Sequence, residues 1–247
     1  MKNVKKILAL MLCAVLLIGA SVAGTLAYLT SQDEVQNTFT VGNVTIELHE
    51  EGEKTRDDET VGLDLHLLPG IPVAKEPIVT VKEDSEDCYV RMKVTVDVSE
   101  SWTDDQDAIE AGMIDNSETF VNWANNFANG YLLHDTTDGS DGKGFNTDKW
   151  NLFKTEINAT AKTITYILTY IKNTDNIVTK DTENNTVLEA IFNDVNVPTG
   201  LTNDQLALLE GMKIKVEVHA IQAEGFDDTE GKTAEQNAWD AFDSQNN

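Results

Sequence analysis

An unbroken alternation of apolar and polar residues, Val-Arg-Met-Lys-Val-Thr-Val-Asp-Val over residues 90–98, constrains this chain more than any other feature. A period of two puts Val90, Met92, Val94, Val96 and Val98 on one face of an extended chain and Arg91, Lys93, Thr95 and Asp97 on the other. Such a strand belongs to a sheet with one apolar face, and that face has to be covered by a second layer. Ile214, Val216, Val218 and Ala220 repeat the pattern, with Lys215, Glu217 and His219 sharing the polar side. His219 therefore reads as a surface histidine. Residues 163–171 form a β-branched and aromatic run with weaker alternation, and residues 78–81 make a further strand opened by Pro77. Short runs at Phe39 and Val41, and at Val44, Ile46 and Leu48, flank Gly42-Asn43. The expectation is a mainly β protein, a β-sandwich with short helical insertions.

Those insertions are few. Residues 105–113 and 118–128 suit short helices, the second placing Phe120, Trp123 and Phe127 at i, i+3 and i+7. Residues 203–210 suit another, stopped by Gly211. Thr233 followed by Gln236 has the form of a capping box opening a last helix through Trp239 and Phe242. The aromatic stripes read as core packing.

The first residues are of another kind. Lys2, Lys5 and Lys6 precede an apolar run over residues 7–18, followed by small residues up to Gly24. That is the layout of an export signal, and Thr25 and Ala27 supply the small residues needed for a cut between Ala27 and Tyr28. A retained membrane anchor over residues 7–27 is the competing reading, disfavoured by the interruptions at Gly19, Ser21, Gly24 and Thr25. Cys13 follows Leu12, where a lipobox carries a small residue. We expect a secreted protein, with residues 1–27 as signal peptide and 28–247 as a single domain.

Composition narrows the function. The formal net charge is −25, and it becomes more negative once the leader lysines are lost, which argues against nucleic acid as a partner. Cys88 alone remains after the leader, so no internal disulfide can form and stability must come from a packed core. Flanking Asp87 disfavours a reactive thiolate there. None of the four histidines lies in an HExxH pattern, and neither a GxSxG elbow nor a phosphate-binding loop occurs. Residues 135–148 offer Asp135, Asp138, Asp141 and Asp148 among glycines, compatible with calcium but not spaced as an EF-hand; a solvated hairpin tip is favoured. No enzyme activity, cofactor or metal site is expected.

Residues 28–41 carry the sharpest functional expectation. The segment is polar at first, then sets Val35, Asn37, Phe39 and Val41 on one side of an extended chain. Exposed by cleavage, such a segment can join its own sheet or add as a strand to a neighbouring molecule.

The stretch GTLAYLTSQDEVQNTFTVGNVTIELHE, residues 24–50, resembles the signal junction and first strand of the TasA and camelysin family. The resemblance continues through LLPGIPVAKEPIVTV and the strand CYVRMKV, and closes on VEVHAIQAEGF and AWDAF. It implies a jelly-roll-like β-sandwich, processing by a SipW-type signal peptidase, and self-association into biofilm matrix or cell-surface filaments. It also implies that residues 28–41, with Val35, Phe39 and Val41, form the donated strand. Some members are described as metalloendopeptidases, but no protease motif is present here. A monomeric surface binding module or adhesin, held by other matrix or surface proteins, is the alternative.

Overall fold

The computed structural model describes residues 43–50, 54–56, 59–61, 68–127, 132–135 and 144–246. The chain divides after Val41, and Gly42–Asn247 forms one compact unit. In chain order its strands are β1 (Ile46–Glu50), β2 (Lys54–Arg56), β3 (Glu59–Val61), β4 (Val73–Ala74), β5 (Pro77–Val81), β6 (Cys88–Asp97), β7 (Leu133–His134), β8 (Trp150–Asn158), β9 (Thr163–Tyr170), β10 (Thr186–Val187), β11 (Asp194–Val195) and β12 (Lys213–Gln222). The described helices are α1 (Asp105–Glu110), α2 (Phe120–Phe127), α3 (Asn203–Ala207) and α4 (Ala234–Asn246).

The alternating run becomes β6, and β6 organises the largest sheet. That sheet has the order β12-β6-β9-β8 and is antiparallel throughout. Val94 stands opposite Val216 on one side and Tyr166 on the other, so the apolar rows of three strands fall on one inner face. On the outer face Thr95 and Thr165 share a hydroxyl hydrogen bond of 2.9 Å, a cross-strand pair of the kind that fixes register.

A three-stranded antiparallel sheet, β1-β5-β10, contributes to the same core. Pro77, Val79 and Val81 of β5 are buried, while Ile46 and Leu48 of β1 pack against the cluster that holds Val90, Met92 and Val94. Two further small sheets complete the described strands: β4-β11-β7 and the ribbon β2-β3. The architecture is thus mainly β and built of antiparallel sheets.

Helices plug one part of this core. α1 begins at Asp104, whose carboxylate accepts from the Gln106 and Asp107 backbone N–H groups, and Ala108 is its buried residue. α2 sends Phe120 and Trp123 against Trp102, with ring centroids 5.4 and 4.9 Å away. α3 carries a reciprocal capping box between Thr202 and Gln205. The chain turns after it at Gly211, whose φ is +72° and where a Cβ would come within 2.4 Å of the Glu100 carboxyl. The positive φ favours glycine there, whereas the exposed Glu100 carboxyl can swing aside.

Two expectations need correction. His219 does lie on the outer face of β12, but it is half-buried beneath α4 rather than free on the surface. The aromatic stripe of α4 likewise misses the main core: Trp239 and Phe242 belong to a separate cluster with Tyr89 and Ala223 on the outer side of the sheet. The sequence pattern identified a polar face on β6 and β12; it did not reveal that a helix covers part of it.

Candidate assembly edge

Strand β8 ends the largest sheet. One side pairs with β9, and no described strand pairs with the other. Both ends are held firmly. At the start, Trp150 is fully buried, packs edge-on against Tyr170 at 5.0 Å and donates its indole N–H to the Glu189 carbonyl at 2.9 Å. The Tyr170 hydroxyl donates to the Glu189 carboxylate, and Lys149 reaches the same group at 3.0 Å. Burial, and then this carboxylate, push the Tyr170 hydroxyl above its ordinary range, so it stays a donor.

At the far end, the turn into β9 is tied by the Asn158 side chain, which accepts from the backbone N–H groups of Thr160 and Ala161 at 3.1 and 2.9 Å. Lys162 sits there at φ +52° with its ammonium 2.6 Å from Asp105 and over the Phe120 ring at 5.2 Å. Burial alone would raise the Asp105 carboxyl; the Lys162 ammonium, then the Phe120 backbone N–H and the Trp102 indole N–H, outweigh it and hold the group below its ordinary range.

Between these anchors the strand is open. Asn151 through Glu156 are all exposed, and Leu152 and Phe153 leave 41% and 42% of their surface to solvent. A register shift between Leu152 and Lys154 makes Phe153 an extra residue in the strand, a β-bulge. Lys154 pairs with Glu156 at 2.6 Å beyond it, which raises the lysine above its ordinary range. An anchored strand with an unpaired edge presents backbone donors and acceptors to any extended segment that arrives. Two exposed apolar side chains add a hydrophobic contact to that ladder.

No sequence expectation marked this strand. Trp150 and Leu152 alternate, then Thr155 and Ile157 alternate in the opposite phase, because the bulge at Phe153 interrupts the period. The signal was present as two half-patterns.

The residues singled out from the sequence fall elsewhere. Ala27, Tyr28, Val35, Phe39 and Val41 lie outside the described residues, which begin at Asn43. His49 is exposed on β1, His134 lies on β7 with its Nδ1 3.6 Å from Asp194, His219 is on β12, and His66 lies outside the described residues. Among the described residues no three His, Cys, Asp or Glu side chains gather as metal ligands would. In the acidic loop, Asp138 and Asp141 lie outside the described residues. Its later part departs from a solvated tip, because Gly144, Phe145 and Asn146 are buried and Asn146 donates its backbone N–H to Ile191 at 2.9 Å.

Cys88 is the first residue of β6, fully buried, and its thiol is pushed up to about 12 by burial and then by Asp87. It is a packed side chain with no thiolate chemistry at neutral pH. No described helix is long and apolar enough to cross a membrane. No family model, curated protein or solved structure matches this chain.

Proposed function

We propose that this chain is a secreted structural protein of an extracellular matrix or cell surface, assembling into fibres by donating residues 28–41 to the β8 edge of the next copy. The single observation that carries the reading is β8 itself: an anchored nine-residue strand, exposed along its middle, with one edge unpaired among the described residues. On this reading each added copy presents a fresh edge, and a head-to-tail contact of this kind propagates when its rotation does not close. On this reading the sheets form a jelly-roll-like β-sandwich, and the cut between Ala27 and Tyr28 by a SipW-type peptidase frees the donor. The resemblance to the TasA and camelysin family supports the same account.

A second reading is favoured by the bulge at Phe153 and by the Lys154–Glu156 pair. Natural proteins use both devices to keep an edge from pairing. Under it the protein is a monomeric surface binding module.

Deleting residues 28–40 separates the two. The chain starting at Tyr28 is expected to sediment as long polymers while the deleted form stays monomeric. Polymers of undiminished length from the deleted form would end the donation mechanism, and a monomeric parent under all salt conditions would favour the binding module.

A further inference from the structure

We propose that the C-terminal helix α4 is an acid-released latch, held against the outer face of the large sheet by Arg91 and let go when His219 gains a proton. Arg91 is the centre of the geometry. It lies on the outer row of β6, is only 3% exposed, and its guanidinium packs against the rings of both Trp239 and Phe242, at 4.5 and 4.9 Å. Both guanidinium ends bond the Asp243 carboxylate, one of them at 3.1 Å. The Nε N–H donates to His219 Nδ1 at 3.3 Å, and the His219 ring stacks on Phe242 at 4.9 Å. Arg91 thus joins β6, β12 and α4 through all three of its guanidinium nitrogens.

One of those bonds can exist only in the neutral imidazole. Accepting from Arg91 requires a lone pair on Nδ1, and protonation there replaces it with a second N–H aimed at the first. A cation then faces the guanidinium at hydrogen-bond distance. The charged groups around His219 are Arg91 and Lys93 on β6, Glu217 on its own strand and Asp243 on α4; burial, then the two cations, keep its proton affinity below the ordinary value of 6.5 despite the two carboxylates.

The sign follows from that direction. A group that binds its proton less readily when folded costs nothing above its unfolded value, and stability is lost as pH falls through the folded value. Asp243 is itself held below the ordinary carboxylate range, by its hydrogen bond to Arg91 first, so it stays ionised while His219 titrates.

The helix is also weakly sealed. The buried Trp239 indole N–H meets no hydrogen-bond acceptor among the described residues, which weakens the seal. The first turn is fastened independently, by the Thr233–Gln236 capping box, by Ala234 N–H to Asp228 at 2.8 Å and by Asn176 to Glu235 at 2.9 Å. Release therefore begins at the Trp239–Asp243 end and uncovers Arg91 and His219.

Hydrogen exchange on the full chain, corrected for the intrinsic pH dependence of exchange, tests the latch. Protection of amides 239–246 should fall about tenfold between about pH 7.5 and pH 5 while β6 and β9 keep theirs. The loss should follow the imidazole titration of His219 read by NMR. His219→Asn keeps an acceptor near the Nδ1 position without a titrating proton, and should hold protection across the same window. Equal protection of the wild-type helix at both pH values, a midpoint unrelated to the His219 titration, or an unchanged profile in H219N would each overturn the proposal.

Discussion

Arg91 is a buried cation on the outer row of β6, held under the rings of α4. The alternation over residues 90–98 assigns it to a polar face, and polar faces of sheets are ordinarily solvated. Here that position is buried, because α4 brings Trp239 and Phe242 down over it. Nothing local announces the burial: the partners lie some 150 residues away in sequence, and Asp243 meets Arg91 only in the folded chain. The two halves of the pair should respond differently to mutation. Arg91 is sealed, whereas the Asp243 side chain is 47% exposed. Arg91→Ala removes aromatic packing together with the charge and should lower unfolding stability by about 2–4 kcal/mol in denaturant titration. Asp243→Asn retains hydrogen bonding and hydration and should cost about 1 kcal/mol. Equal losses in the two variants would mean that the ion pair, and not the packing of the guanidinium, holds the helix.

At the scale of elements, the strands that read most clearly were those with one covered and one open face. β6, β9 and β12 carry their apolar rows inward, and Pro77 does open β5. The Thr233 capping box is formed, and α1 to α3 lie within the stretches expected of them. β8 was illegible for the opposite reason. Neither face is covered along its middle, so burial imposes no period, and the bulge then breaks what alternation remains. An unpaired edge leaves little trace in a sequence, which is why the candidate site was the least legible part of the molecule. The element can be tested without disturbing the fold. Leu152→Lys with Phe153→Lys alters only exposed side chains and should change unfolding stability by no more than about 0.5 kcal/mol. Polymerisation should nevertheless be lost, since charge on an edge opposes strand addition. Lysine is chosen because it lowers the net negative charge, so lost assembly cannot be ascribed to added repulsion. Polymers that form normally would show that β8 is not the acceptor.

For the whole molecule, charge and edge act against each other. A net charge of −25 opposes close approach of copies. The proposed strand addition draws instead on short-range backbone hydrogen bonds and apolar contact, which screening by salt leaves intact. On the proposed function, the acidic body keeps the chain dispersed until a donor and an edge meet. Electron cryo-microscopy of filaments grown from the chain beginning at Tyr28 addresses this directly. The account predicts residues 28–41 of one copy lying along β8 of the next, with Phe39 and Val41 against the Leu152–Phe153 stretch. Filaments in which residues 28–41 stay within their own copy, or a field of monomers at every salt concentration, would contradict it.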